Sequence, residues 1–279
     1  METSKSVAYQ GVPGAFSEIA ARSFFQGFEH RAFETFDAVV KAVQSDEVIA
    51  GMLPIENSST GAIRSVYTLL LQAGLKIVGE EYVPVRHCLM VKPGSKLEVI
   101  EDVYSHPEAL RQCQAFLGAH REWTQHAYLN TAKSAERVAE EEDETVAAIA
   151  SKRAAEIYQL KILKAEIQDQ RTNTTRFVVV AKSPIENTVL TKASMILRVS
   201  HQPGCLFEAL GVFSKHHINM LKIESHPAKE VPWEYDFFID LERTANEDDF
   251  QKMLAELSKR SLEYQLLGSY AANPLNENA

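Results

Sequence analysis

The sequence is short of the residues that several common chemistries require. Its three cysteines, Cys88, Cys113 and Cys205, are odd in number, scattered and without a CxxC pair. That excludes a disulfide framework and suits reduced thiols packed as small side chains in a cytoplasm. No apolar run approaches the length of a bilayer span; the longest lies near residues 67–71. The opening METSKSVAYQG lacks the basic segment, apolar stretch and cleavage site of a secretory signal, so export is not expected. Positive charge is scarce: 29 Lys and Arg against 38 Asp and Glu give a net charge of -9. A nucleic-acid partner would want a concentrated basic face, whereas a small anion needs only a few local arginines and helix ends. The nine histidines have no metal-ligand spacing, and the adjacent His216 and His217 would point different ways on a helix. GVPGAFSEIAA, with Gly11 and Gly14, is not GxGxxG, no GKT or GKS comes after it, and no GxSxG occurs. Nucleotide binding and a nucleophile elbow have no support, and neither a metal nor an organic cofactor is expected.

What is present is a globular composition, 45% hydrophobic and 24% charged, in a chain of 279 residues, long enough for two or three folding units. Up to about residue 180, apolar strand-like segments (SVAYQ, VIAGMLPI, DVYS, WTQHAYL, TVAAIA, FVVV) alternate with amphipathic helical ones (SEIAARSFF, TFDAVVKAV, IRSVYTLLLQAG, HPEALRQCQAFLGA, TAKSAERVAEE, KRAAEIYQL). Thr35 is the expected cap of the second helix, and KIVGEEYVPVRHCLMV reads as two strands meeting near Glu81. This pattern predicts parallel sheets covered on both faces, with a site beyond the carboxyl ends of their strands. The predicted lobes are roughly residues 1–80 with 175–182, and 81–174. The strand 176–181 would return to the first lobe, placing residues 172–175 at a hinge. After a linker at residues 183–192, the segment 193–272 has the order βαββαβ, a ferredoxin-like unit in which each element carries its own period.

Three hydroxyl-rich junctions stand out. In LPIENSSTGAIRSVY, residues 57–60 are all polar and lie between a strand and a helix, where they could cap the helix or hold a carboxylate at its N-terminus. In AYLNTAKSAERV, Asn130, Thr131 and Ser134 surround a second helix start, which a capping box explains nearly as well. In DQRTNTTRFVVV, Thr172, Asn173, Thr174 and Thr175 introduce a buried strand, with Arg171 and Arg176 on either side. SHPEAL has an almost complete structural reading: Ser105 as N-cap, Pro107 in the first turn and Glu108 as the reciprocal acceptor, with His106 left to line a cleft. If the three junctions converge, neutral donors and Arg176, or Arg171, would surround a small oxygenated anion without a covalent nucleophile or a metal.

Together, GVPGAFSEIAA, LPIENSSTGAI, SHPEAL, NTAKSAERV and TNTTRF, then GCLFEAL and NMLKIESHP, resemble the prephenate dehydratase family with its carboxy-terminal ACT domain. The resemblance spans nearly the whole chain in the expected order, and PIENS with TRF is its most specific part. It implies an α/β fold, with a bilobed catalytic region like the type II periplasmic binding proteins over residues 1–182 and a phenylalanine-sensing ACT domain. It implies loss of water and carbon dioxide from prephenate to give phenylpyruvate, in a cofactor-free homodimer or homotetramer.

By the same resemblance the catalytic residue is Thr175. Asn57, Ser58, Thr131, Thr172, Arg176 and Phe177 are expected substrate contacts, with Phe177 most simply a core residue. Gly204, Cys205 and Leu206 at a helix start are expected to take the effector's carboxylate, and Asn219, Glu224 and Ser225 its ammonium end across a subunit interface. ESHP stands here where the family usually has ESRP, so His226 replaces a permanent cation and puts effector strength in question. The rival readings are arogenate dehydratase, the same chemistry on an amino-acid substrate, and a non-catalytic amino-acid-binding regulator.

Overall fold

The computed structural model describes residues 5–185, 189–228, 234–244 and 246–273. The chain opens with Ser6–Gln10 (β1), Phe16–Phe24 (α1), Glu29–Phe33 (β2), Phe36–Gln44 (α2), Ala50–Asn57 (β3), Gly61–Ala62 (β4), Arg64–Ala73 (α3) and Lys76–Pro84 (β5). Next come Cys88–Val91 (β6), Asp102–Ser105 (β7), Pro107–Gln112 (α4), Gln114–Gly118 (α5), Thr124–Ala127 (β8), Thr131–Glu140 (α6) and Val146–Ala150 (β9). Lys152–Ile157 (α7), Lys161–Lys164 (β10) and Thr174–Ala181 (β11) complete the mixed α/β region. Thr35 caps α2 as expected, accepting from the Ala38 N–H at 3.1 Å.

One sheet has the order β2-β1-β3-β11-β5, with β4 on β3; the other has the order β10-β6-β9-β7-β8. β1 runs parallel to β2 and β3, and β7 parallel to β8 and β9. The all-parallel expectation fails at β6, which runs antiparallel to both β9 and β10. β6 comes after β5 with only residues 85–87 between, yet the two strands belong to different sheets. β2 and β10 do not stand out as strands in the sequence, because EHRAF and KILK lie at sheet edges and are largely exposed or half-buried.

Several expected boundaries also move. The β5–β6 break lies at residues 85–87, not near Glu81. The single helix expected over HPEALRQCQAFLGA is two, because a carboxylate from far along the chain starts a new one. Asp169 accepts from the N–H groups of Gln114 and Ala115 at 3.1 and 3.0 Å, capping α5. α4 is capped by the His106 ring nitrogen, not by Ser105, which is fully buried and donates to the Ile149 carbonyl at 2.6 Å.

Packing divides the chain into two compact units: the chain up to Gly61 with Glu81–Phe177, and Ala62–Glu80 with Val178–Leu275. The chain passes between them inside β4, inside β5 and inside β11. The second unit contains Lys192–Arg198 (β12), Cys205–Lys215 (α8), Met220–Pro227 (β13), Tyr235–Glu242 (β14), Glu247–Leu257 (α9) and Glu263–Tyr270 (β15). This is the predicted βαββαβ order, folded as an antiparallel sheet β13-β14-β12-β15. Met195, Leu197, Ile239 and Leu241 on the sheet pack against Val212, Phe213, Phe250 and Met253 on the helices. In the same unit Tyr67 of α3 meets Phe238 edge-on at 4.4 Å, and Lys192 and Glu80 form a buried ion pair at 2.9 Å.

Candidate active site

β3 ends and β11 begins side by side, and their polar residues close onto one another. The Ser58 N–H donates to the Thr174 carbonyl at 2.9 Å, the Ser58 hydroxyl donates to the Thr172 carbonyl at 3.2 Å, and the Thr174 N–H donates to the Ser58 Oγ at 3.0 Å. Residues 57–60 therefore do not cap a helix. α3 starts at Arg64 after Ile63, which makes no side-chain cap bond. Instead Asn57 Oδ1 accepts from the N–H groups of Ser59 and Thr60 at 2.9 and 3.1 Å, and shapes the turn between β3 and β4.

That turn fixes which end of the Asn57 amide faces inward. Its Nδ2 donates to Thr175 Oγ1 at 2.9 Å and to Asn173 Oδ1 at 2.7 Å. The network continues: Asn173 Nδ2 donates to Gln112 Oε1 at 2.9 Å, His87 Nε2 meets the same oxygen at 3.1 Å, and Gln112 Nε2 donates to Glu108 at 2.8 Å. Asn57, His87, Asn173 and Thr175 are all buried. Burial holds the His87 pKa below its ordinary value, so the ring is neutral, and its Nδ1 has no hydrogen-bond partner. Burial likewise pushes the Cys113 thiol up to about 12, so it is no nucleophile. A cavity of about 110 Å³ beside Asn173 is lined by Ser59, Arg111, Gln112, Gln168, Asp169 and Gln170.

Of the residues anticipated from sequence, Asn57, Ser58, Thr172 and Thr175 are brought together. Arg176 and Phe177 come next on β11, both buried. Strand alternation turns Arg176 to the opposite face from Thr175, and Phe177 to the same face. Asn130 and Ser134 are engaged in capping: Asn130 accepts from the Lys133 N–H at 2.7 Å, and Ser134 donates to the Asn130 carbonyl at 2.9 Å. Thr131, the first residue of α6, is half-buried and makes no side-chain hydrogen bond to the Thr175 network. Gln112 and His87 are not among the residues expected from sequence. Both sit in segments that read as ordinary helix and strand, and only the fold shows the amide facing Asn173.

In the second unit Gly204 precedes α8 with φ of +87° and no side-chain cap, and the Cys205 N–H donates to the Gln202 carbonyl at 3.3 Å, so the Cys205 N–H expected for the effector is already engaged. Beside this helix start a cavity of about 370 Å³ is lined by residues that include Gln202, Pro203, Leu206, Tyr235 and Phe237. Asn219 donates to Glu242 at 3.2 Å, Glu224 is half-buried on β13 and Ser225 is exposed. His226 is not an exposed substitute for an arginine. It is buried, 4.9 Å from the Tyr67 ring and 5.0 Å from that of Phe238, and burial holds its pKa below the ordinary value.

Residues 7–185 match the family model described as prephenate dehydratase, and residues 194–260 match that of the ACT domain. An Arabidopsis thaliana protein named arogenate dehydratase/prephenate dehydratase 2, chloroplastic, is 40% identical over 278 residues, covering 95% of this chain and 72% of its own length. The solved prephenate dehydratase of Arthrobacter aurescens, in complex with L-Phe, is 28% identical with a TM-score of 0.86, covering 95% of this chain and 90% of its own. A solved structure described as a novel type of quorum quenching acylase is 33% identical with a TM-score of 0.87, covering 96% of this chain and 98% of its own.

Proposed function

Because the chain belongs to the prephenate dehydratase family, we propose that it is a carbon–oxygen lyase converting prephenate to phenylpyruvate, a step towards L-phenylalanine. Prephenate carries its leaving hydroxyl and its departing carboxylate across one ring, and their loss makes that ring aromatic. The protein must hold a dianion, keep the ring carboxylate poorly solvated and assist the departing oxygen. Fixed donors supply the binding and part of the charge stabilisation.

The observation that carries this reading is the polarity of the Asn57 to Thr175 hydrogen bond. Two backbone N–H groups hold the Asn57 carbonyl oxygen, so its NH₂ donates to Thr175. Thr175 Oγ1 is thereby an acceptor towards Asn57, and its own hydrogen is directed elsewhere. We assign that hydrogen to the leaving oxygen of the substrate. A threonine hydroxyl is a very weak acid, so it supports departure by hydrogen bonding, with the proton relayed from water or a neighbour; a positioned general acid contributes roughly 10²–10⁴-fold. The same polarity argues against acyl transfer, since a nucleophilic hydroxyl needs a base to take its hydrogen and an amide NH₂ cannot.

Ser58, Thr131 and Thr172 are proposed further contacts, and Phe177 a wall of the site on the Thr175 face. Arg176 is proposed to neutralise a carboxylate from the other face of β11, a field effect and not a direct fork. Arogenate is the second reading, favoured by the double name of the Arabidopsis relative. Incubation with prephenate and arogenate in parallel decides between them: kcat/KM is expected to be higher for prephenate, and turnover of neither would overturn the assignment.

For the ACT domain we propose L-phenylalanine inhibition, supported by the L-Phe complex of the Arthrobacter enzyme. Its carboxylate would meet Gly204, Cys205 and Leu206, and its ammonium end Asn219, Glu224 and Ser225 of a second subunit in a homodimer or homotetramer. Unchanged activity and no binding heat at millimolar phenylalanine would refute this. The free thiols of Cys88, Cys113 and Cys205 support a reducing, cytoplasmic setting.

A further inference from the structure

The hydrogen bonds that run inward from Thr175 end on a carboxylate, and the direction of each is determined. With the Asn57 carbonyl held by two backbone N–H groups, its NH₂ faces Asn173 Oδ1 at 2.7 Å, so Asn173 presents NH₂ to Gln112 Oε1 at 2.9 Å. Gln112 must then present its own NH₂ outward, where it meets Glu108 Oε1 at 2.8 Å. An ionised carboxylate only accepts, so Glu108 is the one side-chain type that cannot oppose this order. Arg111 grips it from the other side, Nε donating at 3.0 Å and Nη2 at 2.5 Å.

His87 is subject to the same constraint. Gln112 Oε1 accepts at 3.1 Å, so the His87 hydrogen sits on Nε2 and the bare Nδ1 is the buried atom without a partner. We propose that Glu108 is a positioning residue for the dehydration: it holds the Gln112 amide with its oxygen towards Asn173 and His87, so that Asn173 keeps its own oxygen on the Asn57 NH₂ that also serves Thr175. The proposal rests on Thr175 acting on the substrate.

Glu108 and its neighbours permit a test that separates positioning from folding. Its side chain is 33% exposed, so Glu108→Gln and Glu108→Leu are expected to keep Tm within about 3 °C of the parent. Glu108→Gln can still accept from Gln112 and is expected to retain kcat within about threefold. Glu108→Leu removes the acceptor, and kcat is expected to fall at least about tenfold while KM moves less than threefold. The ¹⁵N spectrum of the His87 ring is expected to show the Nε2–H tautomer in the parent and in Glu108→Gln, and a mixture in Glu108→Leu.

A Leu variant as fast as the parent, a Gln variant as slow as the Leu variant, or a His87 tautomer indifferent to both would overturn the proposal. The dehydratase reading survives such a result if the parent consumes prephenate. A parent that leaves prephenate intact overturns that reading, and with it the catalytic part of this proposal, while the His87 spectrum still decides whether Glu108 orients the Gln112 amide.

Discussion

At the scale of single residues, the proposed chemistry turns on an amide whose two ends are not interchangeable. Asn57 receives two backbone donors on its oxygen and gives two hydrogens from its nitrogen, to Thr175 and Asn173. Asn57→Asp is nearly isosteric but replaces that NH₂ by an acceptor, to which the Thr175 hydroxyl would donate. We expect kcat to fall by about 100-fold with a smaller change in KM, on the scale of removing one preorganised donor; steady-state kinetics with prephenate checks it. Asn57, Ser58 and the threonine run are conspicuous in the sequence because polar residues at strand ends are unusual in such number. Gln112, His87 and Glu108 are not. The partners of Gln112 and His87 lie far along the chain: the Asn173 to Gln112 bond spans 61 residues and the His87 to Gln112 bond 25, while Glu108 is tied to the site only through Gln112. Only folding makes a helix-borne amide part of the site.

Among the elements, the helix cap expected at residues 57–60 is a turn between strands. An asparagine oxygen accepts from N–H groups two and three residues on in both structures. The residues after the asparagine decide between them, and here Gly61 at φ of +80° leads into β4, so the chain reverses before α3 starts. The glycine before α1 has a different task. Gly14 has φ of +90°, and a Cβ there would lie 2.7 Å from Ala154 Cα and 2.8 Å from Ala154 Cβ at the start of α7. Its carbonyl accepts from the Ser151 hydroxyl at 2.7 Å. Gly14→Ala is expected to destabilise the protein by roughly 1–3 kcal/mol through overpacking, with further loss from left-handed strain. A lowered midpoint in urea at unchanged slope would show it; a midpoint equal to the parent's would contradict the close packing.

For the whole molecule, buried neutral histidines set the response to acid. His87 in one unit and His226 in the other both have pKa values lowered by burial. The charges acting on His226 are Glu224, Arg64, Lys222 and Asp236, and on His87 Glu108. In the unfolded chain these rings protonate near the ordinary value of 6.5, whereas in the folded protein they stay neutral to lower pH. The unfolded state then binds more protons, so stability is full above that value and is lost as the pH falls towards the folded pKa. Tm is expected to drop from pH 7 to pH 5, and to drop less in a His226→Phe variant; an identical pH slope in the two proteins would contradict the sign.

The βαββαβ segment is legible in the sequence because every strand and helix in it carries a complete period of its own. The unit boundaries are not, because the chain crosses them within β4, β5 and β11, where a strand continues and no change of composition marks the passage. His226 reads from sequence as the loss of a permanent cation, since nothing local shows that its ring lies against Tyr67 and Phe238.

The central claim is that a hydroxyl at position 175, with its oxygen tied to Asn57, assists departure of water from the ring. Thr175→Val keeps the shape of the side chain and removes the hydroxyl, whereas Thr175→Ser keeps the hydroxyl. The most direct test is single-substrate kinetics of both variants on prephenate, monitoring phenylpyruvate. A loss of about 100-fold or more in kcat is predicted for Val, with little change in KM, and retention within about tenfold for Ser. A Val variant that releases phenylpyruvate at nearly the parent rate would contradict the claim.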